Sequence, residues 1–232
     1  MALRQSGGAV VVMDNGFHSL DFETGKTVAL AEPEAANEET GFNDCKVDRQ
    51  GRLVGGSLHT EASEPRGSIF RLDADHSCTQ IGSGMIESNG PCFSPDGRTF
   101  YIAGSYAEVI YAFDYDVVTG GASNRRVFYS SAGTGGQPDG ATVDAEGHVW
   151  SAQFGAGKIN RIKPDGTVVR VIDVPVKWVS CMTFGGENND VLYVTSIGCE
   201  IAGERDPTPE AGGLFVIHGL GVQGPPEPRF AG

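Results

Sequence analysis

Positive charge is scarce in this chain of 232 residues, which has 17 Lys and Arg against 30 Asp and Glu and a formal net charge of −13. A surface that binds nucleic acid must be basic, so this deficit excludes nucleic acid as a partner. It also disfavours binding to anionic membrane surfaces. No apolar run approaches the length of a membrane-spanning segment. We therefore expect no nucleic-acid and no membrane partner.

Cysteine spacings typical of zinc or redox sites are also missing. None of the five cysteines stands in a C-x-x-C pair: Cys45, Cys78, Cys92, Cys181 and Cys199. The N-terminal segment has neither the apolar core nor the cleavage site of a signal peptide. An odd number of cysteines in such a chain predicts free thiols in a reducing compartment, and we expect a cytoplasmic protein.

The familiar catalytic and nucleotide-binding motifs are absent or incomplete. There is no G-x-S-x-G, no H-E-x-x-H and no phosphate-binding loop. The run 219–224 spells G-x-G-x-x-G, but Pro225 and Pro226 follow it, so the helix that dinucleotide binding requires cannot form. The histidines lack ligand spacing, and only His59 stands near another candidate residue, Glu61.

Glycine is abundant, with 34 residues, and turn pairs such as Asn15-Gly16 separate many short strand-like segments. No stretch has helical periodicity, and no change in composition marks a second domain. We predict an all-β protein with a single domain over residues 1–232. Five blade-like units are visible: the first opens with a short strand at 1–5, and the last lacks its outer strand. The polar loop 198–212 is predicted to be either a cap over one end of the barrel or a mobile segment.

A unit that repeats three times indicates the architecture. Its copies begin at Asn43, Asn89 and Asp139, 46 and 50 residues apart, and each stands eight residues before a glycine. This period suits one four-stranded blade of a propeller. Because innermost strands start near the central channel, the three side chains should point into one pocket. Amide and carboxylate oxygens are ligands for a hard divalent cation.

A structural explanation competes with this one. Asn-Gly and Asp-Gly are favoured turn pairs, and Asx side chains often bond their own backbone. Three copies at one structural position nevertheless favour a shared ligand. The turns that follow contain Asp48, Asp96 and Asp144, and turn formation explains them without any chemistry.

Several segments resemble the regucalcin/gluconolactonase family. Six runs match the family's motifs: F-N-D-x-K-V-D at Phe42–Asp48, F-D-Y-D at Phe113–Asp116, S-N-R-R at Ser123–Arg126, P-D-G at Pro138–Gly140, D-A-E-G at Asp144–Gly147 and E-A-G-G at Glu210–Gly213. The resemblance covers nearly the whole chain.

The resemblance implies a six-bladed propeller of which about five blades are present, with the N-terminal blade missing. It implies one divalent metal ion, Ca, Zn or Mn, bound by Asn89 and Asp139. The family's third ligand, a Glu, would lie in the missing blade. Asn43 and Glu61 correspond to substrate-binding residues, and Asp139 is the candidate catalytic residue.

The function that the resemblance implies is a metal-dependent lactonase that hydrolyses sugar lactones such as gluconolactone or a related pentonolactone. Two alternatives stay open: a non-catalytic calcium-binding propeller, and a related propeller esterase or phosphotriesterase. An open ring would leave apolar residues such as Val10, Val12, Leu192 and Val194 exposed. We therefore also expect self-association through the open edge.

Overall fold

The computed structural model describes residues 1–232, and almost all of its regular structure is β-strand. Nineteen strands form five antiparallel sheets. In chain order these strands are β1 Ala2–Leu3, β2 Ala9–Met13, β3 Gly16–Leu20 and β4 Thr27–Ala31; β5 Thr40–Val47, β6 Leu53–His59, β7 Gly67–Leu72 and β8 Cys78–Met85; β9 Ser88–Phe93, β10 Thr99–Gly104, β11 Val109–Tyr115 and β12 Ala122–Ser130; β13 Gln137–Val143, β14 Val149–Phe154, β15 Lys158–Ile162 and β16 Val168–Asp173; β17 Val179–Gly185, β18 Val191–Ser196 and β19 Leu214–Ile217.

The sheets are the blades of a propeller. Within each sheet the strands pair in chain order, and the fifth sheet has three strands where the others have four. The innermost strands pack side by side in the order β5, β9, β13, β17, and β1 and β2 lie beside β5. The prediction of an all-β propeller with five blades, the last lacking its outer strand, is confirmed. The only helical element is a 3₁₀ turn at Ser105–Ala107, and no helix has the length and apolar character of a membrane span.

Each of the innermost strands of blades two to five has a β-bulge near its start. The register of pairing shifts at Asn43 in β5, just after Asn89 in β9, at Asp139 in β13 and at Ser180 in β17. A bulge leaves one residue outside the ladder and redirects its side chain. The candidate residues therefore lie within these strands, each at or beside a distortion.

The glycine that follows two of these residues is required by close packing between blades. Gly90 has a φ of 52°, and a Cβ there would lie 2.5 Å from the carbonyl oxygen of Asp139. A Cβ at Gly140 would overlap Cys181 of the next inner strand. The glycine of each pair is therefore needed so that neighbouring inner strands can approach each other, whatever preference the pair has for turns.

Asp48 and Asp144 stabilise the turns in which they lie, as predicted. Asp48 Oδ1 accepts the backbone N–H groups of Gln50 and Arg52 at 2.9 Å, and Asp144 Oδ1 accepts those of Glu146 and His148 at 3.0 and 2.9 Å. Both carboxylates are fully buried. Such bonds to their own turns leave them no freedom to bind a ligand.

In the third blade Ser94, and not Asp96, takes the corresponding position. The backbone N–H of Ser94 donates to the carbonyl of Thr99, and Asp96 is exposed and accepts only from Ser94 Oγ and the backbone of Arg98. Asp96 is thus a turn-forming residue, as predicted, but at a different place in its turn from Asp48, because the turn is spelled S-P-D-G in this blade.

The expectation of exposed apolar inner faces is also wrong. Val10, Leu192 and Val194 have no exposed surface, and Val12 is only partly buried. Each blade packs its face on the next blade: Leu192 and Val194 lie in one cluster with Trp150 of the fourth blade. The gap in the ring is therefore located elsewhere, between β1 and β17, where a cavity of about 570 Å³ is found.

The C-terminal segment 223–232 crosses this gap. Its Gln223 carbonyl accepts from Ala145 of the fourth blade, and its Gly224 N–H donates to Asn189 of the fifth. Further on, the Phe230 N–H donates to the Leu3 carbonyl, and the Phe230 ring is fully buried in the core of the first two blades. The glycine- and proline-rich tail thus links the two ends of the ring.

Candidate functional site

The four bulged positions meet at one end of the central channel. The side chains of Asn43, Asn89, Asp139 and Ser180 line a single cavity of about 270 Å³. The structure therefore brings together the three residues that begin the sequence repeat. Ser180 occupies the equivalent place in the fifth blade, where the sequence repeat is no longer visible.

A chain of hydrogen bonds runs across three blades beneath this cavity. Asn43 Nδ2 donates to Asn89 Oδ1 at 2.6 Å and to the Ser88 carbonyl at 2.9 Å. Asn89 Nδ2 donates to Ser105 Oγ at 2.9 Å, and Ser105 Oγ donates to the Pro138 carbonyl at 2.7 Å. This chain fixes the orientation of the Asn89 amide and holds the second, third and fourth blades together.

The Asp139 carboxylate is in an unfavourable environment for a negative charge. Desolvation by burial raises its pKa, the negative charges of Asp44 and Glu87 raise it further, and the backbone N–H of Gly140 offsets little of this, so the pKa reaches about 8. No Lys or Arg is among the groups that act on it. A cation near Asp139 would remove the penalty.

Asp44 does not line this cavity but faces the larger one at the gap in the ring, and its carboxylate accepts backbone donors. Its Oδ1 accepts the Cys45 N–H at 2.7 Å and its Oδ2 accepts the Gly90 N–H at 2.9 Å. The second of these bonds joins β5 to β9. Burial raises the pKa of Asp44 although both bonds lower it. Asp44 therefore adds negative potential to the cavity while its oxygens support the inner strands.

The residues present fit a divalent cation bound by oxygen. No group of three or more His, Cys, Asp or Glu side chains is placed to hold a metal, so amide oxygens must contribute. Asn89 Oδ1 has one lone pair engaged by Asn43, and its second lone pair is free for a ligand. With the Asp139 carboxylate this gives a hard, oxygen-only donor set, which suits Ca²⁺ or Mn²⁺ better than a softer ion.

Glu61 is not among the residues that line this cavity. It is exposed in the turn that follows β6. His59, which precedes it, is buried, and its Nδ1 accepts the backbone N–H groups of Ser63 and Glu64 at 3.3 and 3.1 Å. His59 thus shapes the turn that carries Glu61 and has no free nitrogen on that side for a ligand.

Comparison with known proteins identifies the family. The model of the SMP-30/gluconolactonase/LRE-like region matches residues 1–198. The chain belongs to this family. Regucalcin of Xenopus laevis is 36% identical over 240 residues, which cover all of this chain and 80% of that protein. The 6-deoxy-6-sulfogluconolactonase of Pseudomonas putida is 36% identical over 232 residues, covering 99% of this chain and 79% of that protein.

Solved structures of the family have the same fold. A calcium-binding regucalcin from Agrobacterium tumefaciens superposes with a TM-score of 0.89 at 29% identity, over 99% of this chain and 78% of that one. A luciferin-regenerating enzyme superposes with a TM-score of 0.90 at 26% identity, over 99% of this chain and 80% of that one. The relatives thus support a lactonase-type propeller, and the roles of individual residues in this chain stay predictions.

Several residues of the cavity were not found from the sequence. Glu87 and Ser105 lie in connections between strands, and Ser180 lies in the blade whose repeat is degenerate. Ile197 and Ile201 come from the end of the fifth blade and from the polar loop 198–212, which was predicted to be a cap or a mobile segment. Ser180 shares its β-bulge with the inner strands of the other blades, but no pattern in the sequence marks that bulge.

Proposed function

We propose that the protein is a divalent-metal-dependent lactonase that hydrolyses sugar lactones. The observation that carries the proposal is the shared cavity of Asn89 and Asp139, in a chain whose family includes a lactonase of a modified gluconolactone. Asn89 and Asp139 would hold the ion. When bound, the ion supplies Lewis-acid polarisation of the lactone carbonyl.

The walls of the cavity suit a small, hydroxyl-rich molecule. Polar groups of Asn43, Tyr106, Gln137 and Ser180 line it, and Phe154 supplies an apolar wall. This mixture of a few polar groups with apolar surface is typical of sites that fix the orientation of a small ligand. We propose that these polar groups hold the sugar hydroxyls, and that Glu61, which lies outside the cavity, does not.

The reaction requires a base, and Asp139 is the group placed to act as one. Water attacks the carbonyl carbon of the lactone while Asp139 accepts a proton from it. The bond between the carbonyl carbon and the ring oxygen then breaks, and the proton is transferred to that oxygen to give the hydroxy acid.

The proposal is tested by following acid release from a panel of aldonolactones in a pH-stat. We expect turnover that is lost in chelator and restored by an added divalent cation. Asp139→Asn should abolish turnover. Asp165→Asn, which removes an exposed turn carboxylate of the same blade, should not change it. No turnover on any lactone, or full turnover in chelator, would contradict the proposal.

A second function is favoured by one comparison. The regucalcin of Agrobacterium tumefaciens is described as a calcium-binding protein, and the same cavity would serve a non-catalytic calcium-binding propeller. Calorimetric titration with Ca²⁺ separates the two functions when it is combined with the pH-stat assay. Tight binding of Ca²⁺ without turnover of any lactone would favour the second function.

We also propose a cytoplasmic location and self-association. All five cysteines are free thiols in the structure, which a reducing compartment would preserve. Met1 and Leu3 are exposed, with 68% and 44% of their surface accessible, and a second copy would contact this apolar surface. Sedimentation at several protein concentrations tests the association.

A further inference from the structure

Glu87 lies beside the proposed metal ligands in a place that the sequence repeat does not mark. It belongs to the two-residue connection between β8, which ends at Met85, and β9, which starts at Ser88. Its backbone carbonyl accepts the N–H of Ser105 at 3.3 Å, which holds the connection against the neighbouring 3₁₀ turn. Its side chain lines the same cavity as Asn89 and Asp139.

The Glu87 carboxylate has no cationic partner. No Lys or Arg side chain lines the cavity into which it faces. Two fully buried carboxylates of this protein are instead compensated by arginine: Asp48 Oδ2 is 2.7 Å from Arg52 Nε, and Asp144 Oδ2 is 2.7 Å from Arg161. At the cavity, the chain itself provides no such compensation.

Asp139 supplies the second carboxylate that lines this cavity. Its carboxylate accepts no hydrogen bond from any side chain, and its one donor is the adjoining backbone N–H of Gly140. Two carboxylates that face one cavity repel each other, and a cation bound between them removes the repulsion.

We propose that Glu87 supplies a carboxylate to the divalent cation that Asn89 and Asp139 hold. This inference rests on the proposed metal dependence and deepens it. The site would then have two carboxylates and one amide. Because the affinity of oxygen sites for divalent ions rises with the number of charged ligands, Glu87 would set how tightly the ion is held.

The test is calorimetric titration of Ca²⁺ and Mn²⁺ into the full chain and into Glu87→Gln, after removal of ions with chelator. Gln keeps the shape of the side chain while removing the charge. We expect affinity to fall about ten- to hundredfold. Glu38→Gln, which removes an exposed carboxylate with no recorded partner, should bind as the unmodified protein does.

Thermal melting distinguishes a ligand from a residue that merely supports the loop. Without metal, Glu87→Gln should melt at the same temperature as the unmodified protein or higher, because the repulsion with Asp139 is relieved. Saturating cation should raise the melting temperature of the unmodified protein more than that of the variant. A lower melting temperature of metal-free Glu87→Gln, or unchanged affinity for both ions, would overturn the role of Glu87. Failure of the unmodified protein to bind any divalent ion would overturn this inference and the proposed metal dependence together.

Discussion

The charge state of Asp139 predicts how the stability of the metal-free protein depends on pH. Its pKa is 3.8 in an unfolded chain and about 8 in the fold, because burial and the neighbouring acids disfavour its ionised form. A folded-state pKa above the unfolded value stabilises the fold fully below pH 4, and this contribution is lost as pH rises towards 8. Asp139 alone should therefore make metal-free protein less stable at pH 8.5 than at pH 5.

The size of this effect follows from the difference between the two pKa values. Since one pKa unit is worth about 1.4 kcal/mol, the full difference corresponds to a limit of about 6 kcal/mol. Water that enters the cavity screens part of the repulsion, and we expect about 3 kcal/mol between pH 5 and pH 8.5. For a chain of this length that is a decrease in melting temperature of about 6–12 °C.

Asp139→Asn isolates this contribution, because Asn stays neutral at every pH. Urea unfolding in chelator should show similar stability of the two proteins at pH 5 and greater stability of the variant at pH 8.5. Taking the difference between the two proteins cancels the titration of Asp44 and Glu87 to first order. A difference that does not change with pH would show that Asp139 carries no raised pKa, and the electrostatic argument for a cation would fail.

Three further outcomes follow from the structure. Saturating cation should raise the melting temperature of the unmodified protein more at pH 8.5 than at pH 5, and equal increases in scanning calorimetry would argue against an ionised Asp139 ligand. Asp144→Asn should lower the free energy of unfolding by about 2 kcal/mol, since its carboxylate bonds Trp150 Nε1 and Arg161, yet calorimetry should find its cation affinity unchanged. Phe230→Ala should lower the free energy of unfolding by about 3–5 kcal/mol because the ring is fully buried; a loss below 1 kcal/mol in urea unfolding would mean that the tail does not hold the ring.

The repeat in the sequence was enough to predict the blades and the convergence of their inner strands. Strand alternation and turn pairs mark each sheet, and the period marks the blade. The course of the tail could not be predicted, because Gly219–Gly224 and the prolines after it carry no periodic pattern. Its position depends on contacts of Phe230 and Gln223 with blades that are distant in sequence, and such contacts leave no local signature.

The same limit applies within the site. Asn89 could be found because it recurs at a fixed place in successive blades. Glu87 stands two residues earlier, in a connection whose length and direction are set by the packing of β8 and β9. Nothing in a run of Ile, Glu and Ser indicates that the carboxylate turns towards the channel. Electrostatics in the folded state reveals it, because its charge acts on Asp139 from another blade.

The hydrogen bonds also decide between the two explanations that the sequence left open for the repeated Asn and Asp residues. A turn-forming side chain bonds the backbone of its own turn, as Asp48 and Asp144 do. Asn43 instead donates to the next blade, and Asn89 donates to Ser105 outside its own strand. Local turn chemistry therefore explains Asp48 and Asp144 and does not explain Asn43 and Asn89. These two amides bond across blades and face a common cavity with Asp139, and we propose that binding of a ligand in that cavity is the cause.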